Sequence, residues 1–509
     1  MLSSFTSVLL PVLVLGVVYI LLTGLLRLTH DENEPPLALD SIPFLEPIIQ
    51  LLTRKHKLWL YLRDQSDQPI YTIRLPGVRC YAVNDSSLVL AVDRQIKVLS
   101  FAPIEASATA GTLGTTEVTN EIMRRDPTGS NGHFTTFHRA VRPHLSPGLG
   151  LDGMVQKSLG AMEMSLWDAQ QSGVQNVGFF SWVRHAVLLA TTDGEYGSGN
   201  PFRDPAFEKA WFKFLPGVPI MASGILPQLF ARESLHAREF LAQSFETYFH
   251  DGHHLNGSAA LLARIDHGVT AGLPAADRAR GEVGSSMALV NNTVPAAFWL
   301  LYHVFSDPAL LAECRAELLK ACSTEEDGTR TIDLAHVRSS CPALNSTLLE
   351  VFRYYGIGTV LIRQVVEDHK LNGTYLLKKG SYVLMPNVTQ HYSPKIWGSD
   401  VQAFNPKRFC SAKRTDPAGL RVFGGGTLLC PGRHFANNVI LAFAAHVLLR
   451  LDIRPVPKHQ HDYSSAWDPL KMESSLGLGV AKVFMLPAQD PEVEIRARGP
   501  DEVWRVRLL

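Results

Sequence analysis

The chain has 509 residues, 46% hydrophobic and 19% charged, with 48 basic side chains balancing 48 acidic ones. This is a globular composition, and zero net charge with no run of Lys and Arg argues against a nucleic-acid partner. The six cysteines (Cys80, Cys314, Cys322, Cys341, Cys410, Cys430) form no CxxC pair and no dense framework, which argues against both a zinc ribbon and a disulfide-stapled secreted fold and for free thiols in a reducing compartment.

From Met1 to Leu26 no residue is charged, and Phe5 to Leu26 is long enough to cross a bilayer core, which takes about 20 apolar residues. Arg27 closes the run, and Arg54, Lys55 and Lys57 follow while nothing basic precedes it, which places the body of the protein in the cytosol. A cleaved signal peptide would show a basic start and a shorter apolar stretch. The stretch DENEPPLALDSIPFLEP that follows is rich in proline and acids and reads as an irregular tether. With no repeat, low-complexity block or later linker, the expected division is an anchor over 1–27, a tether over 28–50 and one large domain over 51–509.

PIYTIRLPGVRCYAV alternates Tyr71, Ile73 and Leu75, turns at Pro76-Gly77 and resumes through Val83, a β-hairpin pattern. Phe137 to Pro147 reads as a helix with His138, Arg139 and Arg142 on or near one stripe, in itself an ordinary basic face. Trp211 to Phe230 has the prolines and glycines of an exposed loop yet is apolar, either core packing or a surface that dips into a membrane. Ala237 to Phe249 and Pro308 to Ala321 carry helical periodicity. Strand candidates are Tyr382 to Met385, Lys482 to Leu486, Val493 to Arg498 and Val503 to Leu508. The fold class is therefore mainly α with small β-sheets (α+β).

Met287 to Phe305 is an apolar helix interrupted by Asn291, Asn292, Thr293 and Pro295. Pro295 lacks an N–H and clashes with the carbonyl of Asn291, so a kink is expected there. Glu350 and Arg353 lie one helical turn apart and can pair. VFGGGTLLCPGRHFA, Val422 to Ala436, sets Cys430 on a glycine-rich loop just before an apolar helix, where backbone N–H groups and the helix dipole favour a thiolate. Such a thiolate is a nucleophile or a metal ligand; His434 is near, but no cysteine-protease signature accompanies it.

Phe423, Gly426, Cys430 and Gly432 match in spacing the haem-binding signature of the cytochrome P450 family, which the chain resembles over residues 35–509. Glu350-x-x-Arg353 followed by Arg408 in FNPKRF resembles the family's Glu-Arg-Arg cluster, in the family's order. The resemblance implies a P450 fold behind one N-terminal transmembrane helix, with haem b (iron protoporphyrin IX) held by Cys430 as axial ligand and its propionates near His138, Arg142 and Arg363. Leu428 stands where the family usually has a propionate-binding arginine. Asn292-Thr293 stands where the family has an acid and a threonine that manage proton delivery to iron-bound oxygen, and Asn292 cannot titrate. Asn-Thr-Val-Pro, Cys-Pro-Gly-Arg-His-Phe-Ala and SLGLGV resemble the sterol 7-alpha-hydroxylase and prostacyclin synthase branch, and with the many departures from vertebrate-like sequences this resemblance implies a fungal member.

The implied activity is insertion of one oxygen atom from O2 into a lipophilic sterol-, terpenoid- or polyketide-like substrate, in specialised metabolism. No flavin or nicotinamide fingerprint is present, so electrons would come from a separate NADPH-cytochrome P450 reductase at the endoplasmic reticulum membrane. The implied pocket includes the segment Phe101 to Thr116, Leu289, Val290, Asn291, Ile357, Thr359, Val360, Leu476 and Leu478. Two alternatives remain at this stage: a reductase-independent haem-thiolate isomerase of a peroxide, and a non-catalytic membrane haem- or sterol-binding protein.

Overall fold

The structure, a computed structural model, describes residues 2–38, 41–65, 68–411, 418–456, 467–473, 482–499 and 501–508, with backbone alone at 2–9 and 11. The helices that bear on the site are α1 (Leu2–Thr29), α2 (Ser86–Arg94), α3 (Ala102–Leu113), α4 (His133–Leu145), α5 (Val218–Ser223), α6 (Arg232–His250), α7 (Ala275–Val290), α8 (Thr293–Ser306), α9 (Pro342–Tyr355) and α10 (Arg433–Arg450). The largest sheet contains β1 (Ile70–Leu75), β2 (Val78–Val83), β3 (Leu99–Ser100), β4 (Val360–Val365) and β5 (Tyr382–Pro386), in the order β1-β2-β5-β4-β3.

The expected hairpin is β1–β2, in register Ile73↔Cys80, with Gly77 at φ 68° supplying the left-handed turn residue. The residues Val12–Thr29 of α1 are long and apolar enough to cross a membrane, and almost all their side chains are exposed. The lower end of α1 is tied to the hairpin: Arg79 Nη2 donates to the Thr29 carbonyl at 2.7 Å and Arg74 Nη1 at 3.2 Å. The tether is irregular, as its prolines imply, but lies along β1 through Thr72 N to Pro36 O (2.7 Å) and Ala38 N to Thr72 O (3.0 Å). A helix at Glu46–Arg54 crosses the expected tether boundary at residue 50.

α8 and α10 are buried on nearly every side, as helices apolar all round must be. α8 packs on both α9 and α10 at the centre of the main core, where the Trp299 ring of α8 stacks on Tyr355 of α9 at 3.8 Å. The long apolar helix does break where Pro295 requires it. α7 ends at Val290, α8 begins at Thr293, and Pro295 has no N–H to offer the Asn291 carbonyl.

Two sequence expectations are corrected. Trp211 to Phe230 is not a loop but a run of short helices: Trp211, Phe214 and Met221 are buried in the core while Ile225, Leu226, Leu229 and Phe230 face outward. Lys482 to Leu486 is irregular rather than a strand, because its partners are side chains and irregular backbone: Val483 N donates to Asn292 Oδ1 (2.8 Å), and Met485 O accepts from Trp299 Nε1 (2.8 Å).

Candidate active site

The thiol loop leads straight into α10. Gly424 and Gly426 sit at φ 81° and 60°, conformations that residues with a Cβ rarely adopt, and a Cβ on Gly425 would strike Arg421 and Asp93. Cys430 is half-buried; its N–H bonds the Phe423 carbonyl at 2.9 Å, and the Phe423 ring packs edge-on against Phe352 of α9. Backbone N–H groups of Gly432 and Arg433 reach the sulfur, as a helix N-terminus allows, but burial outweighs them and raises the Cys430 thiol above its ordinary value. The stabilisation of a thiolate expected from the helix N-terminus is thus opposed by burial of the sulfur. Among the described residues no group of three or more His, Cys, Asp or Glu could hold a bare metal ion.

Behind the loop, Glu350 and Arg353 are fully buried and joined by two bonds of 2.7 Å, and Arg408 Nε reaches both Glu350 oxygens at 3.2 Å. Arg353 also donates to the carbonyls of His391 and Val401 at 3.0 Å. One carboxylate thus fixes two guanidiniums and, through them, the segment 391–403.

In the last turn of α7 Ala288 is exposed, and Leu289, Asn291 and Asn292 keep partial accessibility while Met287, Val290 and Thr293 are buried, so this face at the helix break borders open space, the candidate substrate cavity. Thr293 is buried, with its hydroxyl donating to the Leu289 carbonyl at 3.0 Å. Val290, Ile357, Thr359 and Val360 are buried: Val290 belongs to the main core, and Ile357 and Val360 to an apolar cluster with Trp59, Tyr71 and Met485. Leu476 and Leu478 lie outside the described residues.

Charge gathers at the sheet side of the loop. Arg363 on β4 is buried; burial brings its guanidinium down to about 10, and its nearest carboxylate, Asp93 of α2, is 3.9 Å away. Asp93 is held more closely by Arg421, which donates to it at 2.8 and 3.1 Å. Two buried guanidiniums thus share one carboxylate, and the Nε of each has no partner. That surplus of buried positive charge fits the carboxylates of haem. Arg421 and Asp93 were not singled out from sequence, since 328 positions separate them. His138 and Arg142 lie together in a separate cleft on α4 with Thr135 and Arg139.

The class of protein that this arrangement defines is the haem-thiolate proteins. The family model for Cytochrome P450 matches residues 284–475, from α7 through the thiol loop. Cytochrome P450 monooxygenase nodJ of Hypoxylon pulicicidum is 29% identical over 95% of this chain and 94% of its own length. A Cytochrome P450 monooxygenase of Gibberella zeae is 24% identical over 87% of this chain and 84% of its own. Cytochrome P450 monooxygenase calL of Penicillium decumbens is 28% identical over 40% of this chain and 39% of its own. The chain belongs to the cytochrome P450 monooxygenases.

Proposed function

We propose that the protein is a membrane-anchored monooxygenase that inserts one atom of O2 into a lipophilic sterol-, terpenoid- or polyketide-like substrate in specialised metabolism. The observation that carries this reading is the lone Cys430 thiol on a glycine loop beside unmatched buried guanidinium charge. Cys430 would hold the haem iron, with Phe423, Gly426 and Gly432 shaping the loop and Arg363 and Arg421 neutralising the propionates. His138 and Arg142 on α4, whose basic groups share one cleft, would add to that neutralisation in this reading. Haem so bound supplies an iron centre whose thiolate ligand favours cleavage of O2.

The chain contributes position, dryness and a proton route. Glu350, Arg353 and Arg408 hold the backbone behind the loop. Thr293, bonded to the Leu289 carbonyl across the helix break, keeps a hydroxyl beside the cavity that can relay a proton with water. Asn292 cannot titrate, and its carbonyl is engaged by Val483 N, so its part is to hold the wall at 482–485.

Electrons come in this reading from a separate NADPH-cytochrome P450 reductase on the same endoplasmic reticulum surface. A cleft on the thiol side, lined by Arg338 and His434 among others, supports docking of an acidic partner there. The exposed Ile225, Leu226, Leu229 and Phe230 support a second membrane contact beside α1. The test is the absorption spectrum of the dithionite-reduced protein under carbon monoxide. A red-shifted Soret band that vanishes in Cys430→Ala supports the reading; no haem absorption in a folded, haem-supplemented preparation overturns it.

A further inference from the structure

Four side chains that give up an electron readily form an unbroken run through the core. Trp299 of α8 stacks on Tyr355 of α9 at 3.8 Å, Tyr302 stands edge-on to Trp299 at 5.6 Å, and Trp467 stands edge-on to Tyr302 at 5.7 Å. Trp299, Tyr302 and Tyr355 are buried, whereas Trp467 keeps partial accessibility beside the exposed Asp468. The run therefore starts in the core and ends at the surface. Its inner end adjoins the thiol loop: Tyr355 lies one turn beyond Phe352 on α9, and the Phe352 ring meets Phe423, whose carbonyl takes the Cys430 N–H.

Aromatic packing by itself asks for no such composition, since phenylalanine fills similar space without a polar atom to satisfy. Elsewhere in the core phenylalanine does interrupt, as Phe202 stands between Tyr196 and Trp211. Here all four positions are Trp or Tyr, and the buried ones are pinned: Trp299 Nε1 donates to the Met485 carbonyl (2.8 Å), Met485 N donates to the Tyr355 carbonyl (3.0 Å), and the Tyr302 hydroxyl donates to the Asp468 carbonyl (3.0 Å). Tyr355 differs from the others in having a base. Its hydroxyl shares a bond of 2.8 Å with Nε2 of His303, whose ring is held by Phe404 stacked on it at 3.4 Å. Burial pushes the Tyr355 phenol up, so it keeps its proton while intact, and brings His303 down to about 3, so the imidazole is neutral. A phenol that has lost an electron is a strong acid, and a neutral imidazole within hydrogen-bond reach can take its proton.

We propose that Tyr355, paired with His303, and the run Trp299, Tyr302 and Trp467 carry oxidising equivalents from the haem site to the surface, giving the protein a second activity: reduction of hydrogen peroxide by hydrophilic one-electron donors that never enter the substrate cavity. The proposal rests on reading Cys430 as the haem ligand. Hydrogen peroxide takes up two electrons and two protons at that site, its O–O bond breaks and two waters form. Each electron is supplied by Tyr355, whose O–H bond breaks as the proton passes to His303 Nε2. An electron then returns to Tyr355 through Trp467, Tyr302 and Trp299, the proton goes back from His303, and a donor at Trp467 is left oxidised by one electron. Two donors are consumed for each peroxide.

The test uses the full-length, haem-loaded protein with hydrogen peroxide as oxidant and ferrocyanide as donor. Frozen directly after peroxide is added, the parent should show a tyrosyl radical by electron paramagnetic resonance, with a hyperfine pattern that collapses in protein grown on ring-deuterated tyrosine. Tyr355→Phe, which removes one hydroxyl, should lose that radical, whereas Trp467→Leu, at the outer end, should keep it and lengthen its life. Ferrocyanide oxidation should fall roughly tenfold in both variants. The dithionite-reduced spectrum under carbon monoxide should be the same in all three proteins, which separates these effects from loss of fold or haem. No tyrosyl radical in the parent, the same radical in Tyr355→Phe, or undiminished ferrocyanide oxidation in Trp467→Leu overturns the proposal. A folded, haem-supplemented preparation without the thiolate spectrum overturns instead the reading of Cys430 on which it rests.

Discussion

At the scale of single residues, the centre of the fold holds polar groups whose cost is visible. Both ring nitrogens of His446 are buried without a partner, so His446→Leu, close in volume and apolar, should stabilise the protein by about 1 kcal/mol. Thermal unfolding of the variant checks this; a lower melting temperature would show that the ring packs better than its polar atoms suggest. Glu350 behaves in the opposite sense. Glu350→Ala leaves Arg353 buried and Arg408 without its inner partner, a loss of about 3–5 kcal/mol, and should give little haem-binding protein on expression. Recovery of normal haem content in that variant would remove the cluster from the account of the fold. These two side chains also show what sequence can carry at this scale. The Glu350–Arg353 pair was legible because it lies within one helical turn. The Arg421–Asp93 pair was not, because nothing in either local segment points to the other.

At the scale of elements, the broken helix α7–α8 was readable from Pro295 and the preceding polar run, since a missing N–H acts within a single turn. The lining of the cavity was harder. Val290, Ile357 and Val360 are expected along the pocket by motif resemblance, and the structure packs them in apolar clusters, a role that apolar side chains share with lining a site. Ala288 was passed over because alanine carries no chemical signal; its position on the same helical face as Asn291 and Asn292 was the available clue. Asn292→Ala should release the Val483 amide and cost about 1–3 kcal/mol, read as faster hydrogen exchange at Val483 with the haem spectrum unchanged. Thr293→Ala should leave the fold intact and, with reductase, raise oxygen consumption relative to product. Coupling equal to that of the parent would take Thr293 out of the proton route.

At the scale of the whole molecule, the response to acid follows from several histidines at once. Burial holds His303, His391 and His446 down to about 3 and His133 to about 4. The folded protein keeps them neutral while the unfolded chain protonates below about pH 6.5, so the unfolded state binds more protons and stability falls as pH drops through that range. The melting temperature should therefore decrease between about pH 7 and about pH 5, and a flat profile would show that other groups compensate. The small sheets were only partly legible, because strands of three or four residues such as Cys322–Thr324 bury too little for their pattern to stand out, whereas the hairpin announced itself through its turn. The wall behind Gly425 has a consequence for recombination. Because Asp93 and Arg421 fill the space beside that glycine, the loop is not an interchangeable cassette. A chimera that imports residues 422–436 from a relative will keep its shape only if the partner at position 93 travels with it, so inheritance of the loop is tied to a residue at the far end of the gene.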